Sequence, residues 1–286
     1  MTEPRAILLV QCPDRPGIVA AISSFLHRHG ANIIDFEQHT SEDEGGVYFT
    51  RLEFQIGRLD LPLDDLQAAF ALDVAKPFGM SWRLALSSVR KRMAVLVSKH
   101  DHALLELLWT WKRGDLRADI GLVVSNHADL QASVESFGVP FVHVPNSKEI
   151  RAQSEARISE LVDGKFDLLV LARYMQIVSP ELVARWPERI INIHHSFLPA
   201  FIGADPYRQA YDRGVKVVGA TAHYVTPELD AGPIIEQDVG RVSHRDAVED
   251  LKALGRDLER RVLARAVRWH CEDRVIVHGN KTVVFQ

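Results

Sequence analysis

The sequence predicts two α/β units in tandem. A small ferredoxin-like α+β domain spans residues 1–85, and a larger domain with a mostly parallel, doubly wound sheet spans 86–286. Three observations predict this. The chain has 286 residues, more than one ordinary core holds. Residues 5–78 order as strand, helix, strand, strand, helix, most of a βαββαβ unit. Beyond residue 92, apolar strands alternate with helices, the pattern of a parallel sheet covered on both faces.

The elements follow in order. Arg5 to Gln11 is an apolar run of strand length, broken by Cys12-Pro13-Asp14-Arg15-Pro16-Gly17. From there Ile18, Ala21, Ile22, Phe25 and Leu26 recur at helical spacing, and Gly30 suits the helix C-terminus. Ala31 to Thr40 and Val47 to Ile56 read as a strand hairpin around the polar turn Ser41 to Gly46. Leu63 to Phe78 is helical, and Gly79 to Arg92, rich in serine and arginine, includes the linker. In the second domain, Met93–Ser98, Ile120–Ser125, Pro140–Val144, Phe166–Leu171 and Ile190–Ile193 read as strands. Helices over 104–111, 128–137 and 148–161 separate the first four. A strand over Ala222–Val225, another from Ile234, a long helix over Ala247–His270 and a last strand after the turn Gly279–Thr282 complete the chain.

Composition narrows the function classes. The formal net charge is −4 and no basic face is evident, so a nucleic-acid partner is not expected. No apolar run reaches the length of a membrane span, and the start lacks a signal-peptide pattern. Cys12 and Cys271 lie far apart in different predicted domains and read as two reduced thiols of a cytoplasmic protein.

The block Asp14-Arg15-Pro16-Gly17-Ile18, followed by a helix and Gly30-Ala31-Asn32-Ile33, resembles an ACT domain over roughly the first 85 residues. Pro16 and Gly17 allow a tight turn, and the amides of the following helix start can receive a carboxylate. The resemblance implies an amino-acid effector near Asp14, Pro16, Gly17 and Asn32, and pairing of chains into a dimer or tetramer. The plainer reading is that the turn only joins strand to helix.

Chemistry concentrates in two segments. Asn192-Ile193-His194-His195-Ser196-Phe197-Leu198-Pro199 follows a buried-type strand, and Asn192 and His194, two apart, point the same way on an extended chain. Each can donate to one oxygen, and an imidazole can carry a proton near pH 7. The second segment, Gly219 to Gln237, carries His223 on a strand and Asp230 on a turn-rich loop. Taken singly, an Asn-x-His pair reads as turn chemistry and an aspartate as a cap.

Together these segments, with Leu171 to Pro180, resemble the formyltransferase-type catalytic domain that uses 10-formyltetrahydrofolate, over about residues 92–286. The resemblance implies catalytic places for Asn192, His194 and Asp230. It places Tyr174, Met175, Gln176, Ile177 and Val178 with Thr226, Pro227, Glu228 and Leu229 around the pterin, and His195 and His223 beside the substrate. Three features favour the formyltetrahydrofolate deformylases within that family: the doubled His194-His195, the loop Ser98-Lys99-His100-Asp101-His102 without phosphate-cradling glycines, and the preceding ACT-like domain.

One departure is that the stretch after Pro199 reads Ala200-Phe201-Ile202-Gly203-Ala204-Asp205, where related deformylases carry a basic residue. Ile202 and Asp205 imply a weaker hold on the folate carboxylate tail. The expected reaction is hydrolysis to formate and tetrahydrofolate, serving one-carbon and purine metabolism. Asn192, helped by His194, holds the developing oxyanion, Asp230 with His194 activates water, and a histidine protonates the leaving nitrogen.

No cofactor is required by that resemblance. His194, His195, His223 and Asp230 include zinc-ligand types, but no HExxH helix is present and metal use is not expected. Two alternatives remain in view: a formyltransferase with an amine or sugar-nucleotide acceptor, and a regulatory protein that binds folate and an amino acid without turnover.

Overall fold

The computed structural model describes residues 3–42, 45–200 and 206–286; Ile202 and Asp205 lie outside the described residues. Met1–Arg90 with Glu272–Ile276 and Val283–Gln286 form one compact unit, and Lys91–Cys271 with Val277–Thr282 form the other.

The first unit runs β1 (Arg5–Pro13), α1 (Ile18–Arg28), β2 (Asn32–Thr40), β3 (Val47–Gln55), α2 (Leu63–Phe70), a π-turn over Ala71–Ala75, α3 (Lys76–Phe78) and β4 (Ser81–Leu86). Its antiparallel sheet has the order β2-β3-β1-β4, the ferredoxin-like arrangement. The helices bury Ile18, Ile22, Phe25, Leu26, Leu66 and Phe70 against Leu8, Val10, Leu52 and Phe54 of the sheet. The α1 residues recur at i, i+4, i+7 and i+8, which keeps them on one face.

Two expectations need correction. Residues 79–92 are not mainly linker, because Ser81–Leu86 is β4, paired with β1 from Ala6↔Leu86 to Gln11↔Ser81. Trp82, Leu84 and Leu86 alternate onto the helix-covered core, while Arg83 on the other face pairs with Asp273. Nor does all of 86–286 belong to the second unit. Strand β1 is apolar on both faces, and its Ile7 and Leu9 pack with Phe49, Ile276 and Phe285. The chain end supplies the cover that this second face needs.

The second unit runs β5 (Lys91–Val97), α4 (His102–Arg113), β6 (Ala118–Ser125), α5 (Gln131–Ser136), β7 (Phe141–His143), α6 (Arg151–Val162), β8 (Leu168–Leu171), α7 (Pro180–Arg185), β9 (Ile190–His194), α8 (Pro206–Arg213), β10 (Val217–Tyr224), β11 (Ile234–Arg241) and α9 (Val248–Cys271). After it, β12 (Val275–His278) and β13 (Lys281–Val284) pair with each other. The seven-stranded sheet has the order β11-β10-β9-β8-β5-β6-β7. Strands β5 to β9 pair in parallel, and β10 and β11 add antiparallel.

The central strands are buried throughout, from Met93 to Val97 and from Leu168 to Leu171. The chain leaves β5 toward β6 on one side and returns to β8 on the other. The carboxyl ends of β5 and β8 therefore flank a topological switch point, where open α/β sheets bind ligands. Among the described residues no helix is long and apolar enough to cross a membrane.

Phe285 is 4% exposed in the second-face cluster. Phe285→Ala is expected to cost the first unit about 3 kcal/mol in urea unfolding, the usual scale for an aromatic core truncation. A loss below about 1 kcal/mol would show that the chain end adds little to this core.

Candidate active site

Strand β9 carries Asn192 and His194 to its carboxyl end on one face, as alternation requires. Its antiparallel neighbour β10 sets His223 directly opposite Asn192. The Asn192 amide nitrogen lies 3.2 Å from His223 Nε2, while His223 Nδ1 lies 2.9 Å from the Tyr224 carbonyl. A carbonyl only accepts, so Nδ1 carries the proton and Nε2 accepts from the Asn192 NH2. That bond fixes the amide and leaves its second N–H for a ligand.

Asp230 arrives on the loop after β10, with a left-handed φ of 54°. Its carboxylate lies 3.2 Å from His194 Nδ1 and 3.6 Å from His223 Nε2. Gly232 permits this return. A Cβ there would stand 1.8 Å from the Tyr224 carbonyl oxygen, and the neighbouring Pro233 carbonyl accepts the Tyr224 N–H at 2.9 Å. Hydrogen bonding from His194 Nδ1 holds the Asp230 carboxyl well below the usual carboxylate range against the opposing effect of burial. His194 is 7% exposed, and among the described residues its buried Nε2 has no hydrogen-bond partner.

Asn192, His194 and Asp230 share one cavity of about 310 Å³ with His195, His223, the segment Tyr174 to Val178, and Thr226, Pro227 and Leu229. Glu228 does not line it. That side chain is exposed, and its carbonyl accepts the Thr226 hydroxyl at 3.1 Å, because the turn aims it outward. Met175, Ile177 and Leu229 are each more than half exposed and fringe the mouth with apolar surface. Ser98, at the end of β5, holds the 173–175 segment. Its hydroxyl accepts from the Met175 N–H at 2.9 Å and donates to Asn126 at 2.7 Å, and its N–H donates to the Arg173 carbonyl at 3.2 Å.

Leu171, Arg173, Ile193 and Val225 also line the cavity and were not singled out from sequence. The first and last two are ordinary strand-end residues and carry no signal. Arg173 stood inside the recognised segment, but nothing local marks an arginine as buried. The loop Ser98 to His102 lacks glycine, and its His102 donates to Glu259 at 2.8 Å. Among the described residues no group of three His, Cys, Asp or Glu side chains is arranged to hold a metal ion.

In the first unit, Asp14, Pro16 and Gly17 line a groove with Arg15, Gln38, Thr40 and Tyr48. Asn32 does not line it. It begins β2, six residues before Gln38 and so about 20 Å away along the strand, and its amide donates to Gln55 at 2.9 Å.

Burial, with the Arg173 guanidinium adding, lowers the His195 imidazole to about 4. Between pH 6.5 and 4 the unfolded chain binds a proton that folded His195 refuses, so stability falls as pH drops through that window. His195→Gln is expected to flatten this loss in urea midpoints measured from pH 7 to pH 4. An unchanged slope would remove His195 as its source.

Known proteins resemble the chain over both units. The family model described as "Formyl transferase" matches residues 91–267, and that of the ACT domain matches residues 6–71. The formyltetrahydrofolate deformylase of Bacillus subtilis is 56% identical over 284 residues, covering 99% of this chain and 94% of that protein. The Escherichia coli protein of the same name is 42% identical, with 98% of each chain covered. A crystal structure of a formyltetrahydrofolate deformylase from Pseudomonas syringae superposes with a TM-score of 0.95 at 47% identity, over 100% of this chain and 96% of that one. A glycinamide ribonucleotide transformylase from Symbiobacterium toebii matches with a TM-score of 0.64 at 32% identity, over 69% of this chain and 95% of its own. The chain therefore belongs to the formyl transferase family and, within it, to the formyltetrahydrofolate deformylases.

Proposed function

We propose that the protein hydrolyses 10-formyltetrahydrofolate to formate and tetrahydrofolate, with water as the acceptor and no cofactor. The observation that carries the reading is the pair of His194 and Asp230, both lining one cavity, with a His194 Nε2 that has no partner among the described residues, beside an amide oriented by His223. The carboxylate accepts a hydrogen bond from His194 Nδ1–H, which leaves a lone pair on Nε2 to accept a proton from water.

Water oxygen then bonds to the formyl carbon as its carbonyl π electrons move onto oxygen. The free N–H of Asn192 donates to that oxyanion, a contribution of about 3 kcal/mol in comparable acyl-transfer sites. Asp230 stabilises the imidazolium so formed, as the acid does in Ser-His-Asp triads. His194 Nε2–H next protonates the folate nitrogen as the C–N bond breaks, and formic acid loses its proton to solvent. The apolar rim of Met175, Ile177 and Leu229 suits the flat, largely apolar rings of a folate. In this reading the polar edge of the pterin meets backbone groups of 174–178 and of Thr226, Pro227 and Leu229, which line the cavity.

The groove at Asp14, Pro16 and Gly17 supports an amino-acid effector site in the first unit, beside the amino-terminal end of α1. Formate production places the protein in one-carbon metabolism, with purine synthesis as a consumer, in the cytoplasm.

The test is incubation with 10-formyltetrahydrofolate and no added acceptor. Formate and tetrahydrofolate are expected in equal amounts, and absence of formate would overturn the reading. Asp230→Asn is expected to keep the fold and lower kcat by about two orders of magnitude or more, since it removes the charge behind His194. A variant turning over at the parent rate would remove the carboxylate from the mechanism.

A further inference from the structure

The hydrolytic reading leaves one buried charged cluster unused. Glu259 lies on the buried stripe of α9, between Leu258 and Val262, and is 1% exposed. A carboxylate placed there costs several kcal/mol unless it is fully partnered. Its Oε1 accepts the Tyr207 hydroxyl at 2.8 Å and its Oε2 accepts His102 Nε2 at 2.8 Å. The Arg173 Nε stands 3.4 Å from Oε2, with the guanidinium side chain 10% exposed. Burial pushes the Glu259 carboxyl up, but His102, Arg173 and Tyr207 outweigh it and keep the group ionised. Gly255, one turn earlier, makes room for this packing, since a Cβ there would stand 1.9 Å from the Tyr207 oxygen.

The cluster backs one wall of the catalytic cavity. Arg173 and His195 line that cavity, and the His195 ring lies 5.2 Å from His194 and 6.1 Å from Tyr207. The space next to it, lined by His195 and Tyr207, measures about 20 Å³. Arg173 itself holds a left-handed φ of 61°, uncommon for a branched or long side chain, with its carbonyl accepting the Ser98 N–H.

We infer that Arg173, braced by Glu259, Tyr207 and His102, is a specificity wall that keeps amine acceptors from the formyl carbon and leaves water as the nucleophile. The inference rests on the proposed hydrolysis and names what directs that chemistry to water. A transferase on this fold must seat an amine beside its catalytic imidazole. Here Arg173 lines the catalytic cavity with Glu259 behind it, so the guanidinium cannot be displaced without uncovering a charge.

The experiment measures how turnovers partition between formate and N-formylglycinamide when 10-formyltetrahydrofolate is mixed with a large excess of glycinamide. Wild-type protein is expected to yield formate with under about one part in a hundred of N-formyl product. Arg173→Gly, which suits the left-handed backbone, is expected to raise the N-formyl fraction at least tenfold. Tyr207→Phe, which keeps the ring and removes one bond to Glu259, is expected to raise it by a smaller factor.

An unchanged partition in folded, active Arg173→Gly overturns the wall. So does loss of both products in that variant when near-ultraviolet circular dichroism shows it folded. Substantial N-formylation by the wild type also overturns it. Absence of formate from the wild type without glycinamide instead refutes the hydrolytic reading, so the two failures are distinguishable.

Discussion

The Asp230 carboxylate sits within reach of two imidazoles that belong to adjacent antiparallel strands, and the geometry of the site hangs on that convergence. A half-buried acid is stable as an anion only where donors face it. Here the His194 Nδ1 donor does so, and in doing so it turns the opposite nitrogen toward the cavity. The His223 ring is fixed by its own carbonyl partner and passes the constraint to Asn192. The side chains are therefore oriented by two sets of hydrogen bonds, Asp230 with His194, and the Tyr224 carbonyl with His223 and Asn192. The close approach at Gly232 is the backbone condition for all of it, because any side chain there would drive the loop off β10.

Charge is distributed over this site with a clear division. Near His194 stands a single carboxylate, Asp230. Around His195, burial and the Arg173 guanidinium keep the imidazole neutral across the physiological range. Glu259 offsets the arginine from inside the helix layer, so that neither charge is left uncompensated. Two adjacent histidines thus have opposite surroundings, one facing an anion and the other a cation. In the proposed reading this contrast separates proton transfer at His194 from shaping of the pocket at His195.

Much of the fold was readable because its strands are buried on both faces and its helices on one, patterns that survive in composition. The readings failed where polar residues masked a pattern. Strand β4 is interleaved with serine and arginine, so its apolar alternation of Trp82, Leu84 and Leu86 was read as linker. The helices α7 and α8 are too short to show a period. At the site, Asn192, His194 and Asp230 were legible through two long motifs, and the cavity-lining segments 174–178 and 226–229, Glu228 apart, through the family resemblance. Glu228 was included only because its neighbours in the loop were, and a turn decides which of four side chains faces in. Asn32 fell at the wrong end of its strand for the groove.

By itself the sequence determined the two-unit order, the alternation of the parallel sheet, the family, and which amide, imidazole and carboxylate are available for chemistry. These follow from local period and from motifs contiguous in the chain. Only the tertiary structure decided that residues 272–276 and 283–286 return to the first unit, that His223 orients Asn192, and that Arg173 meets Glu259. Each of these joins groups far apart in sequence, and no local spacing records a contact that strand order and helix packing create. A buried ion pair is invisible in a sequence because its two halves look, one at a time, like ordinary surface charges.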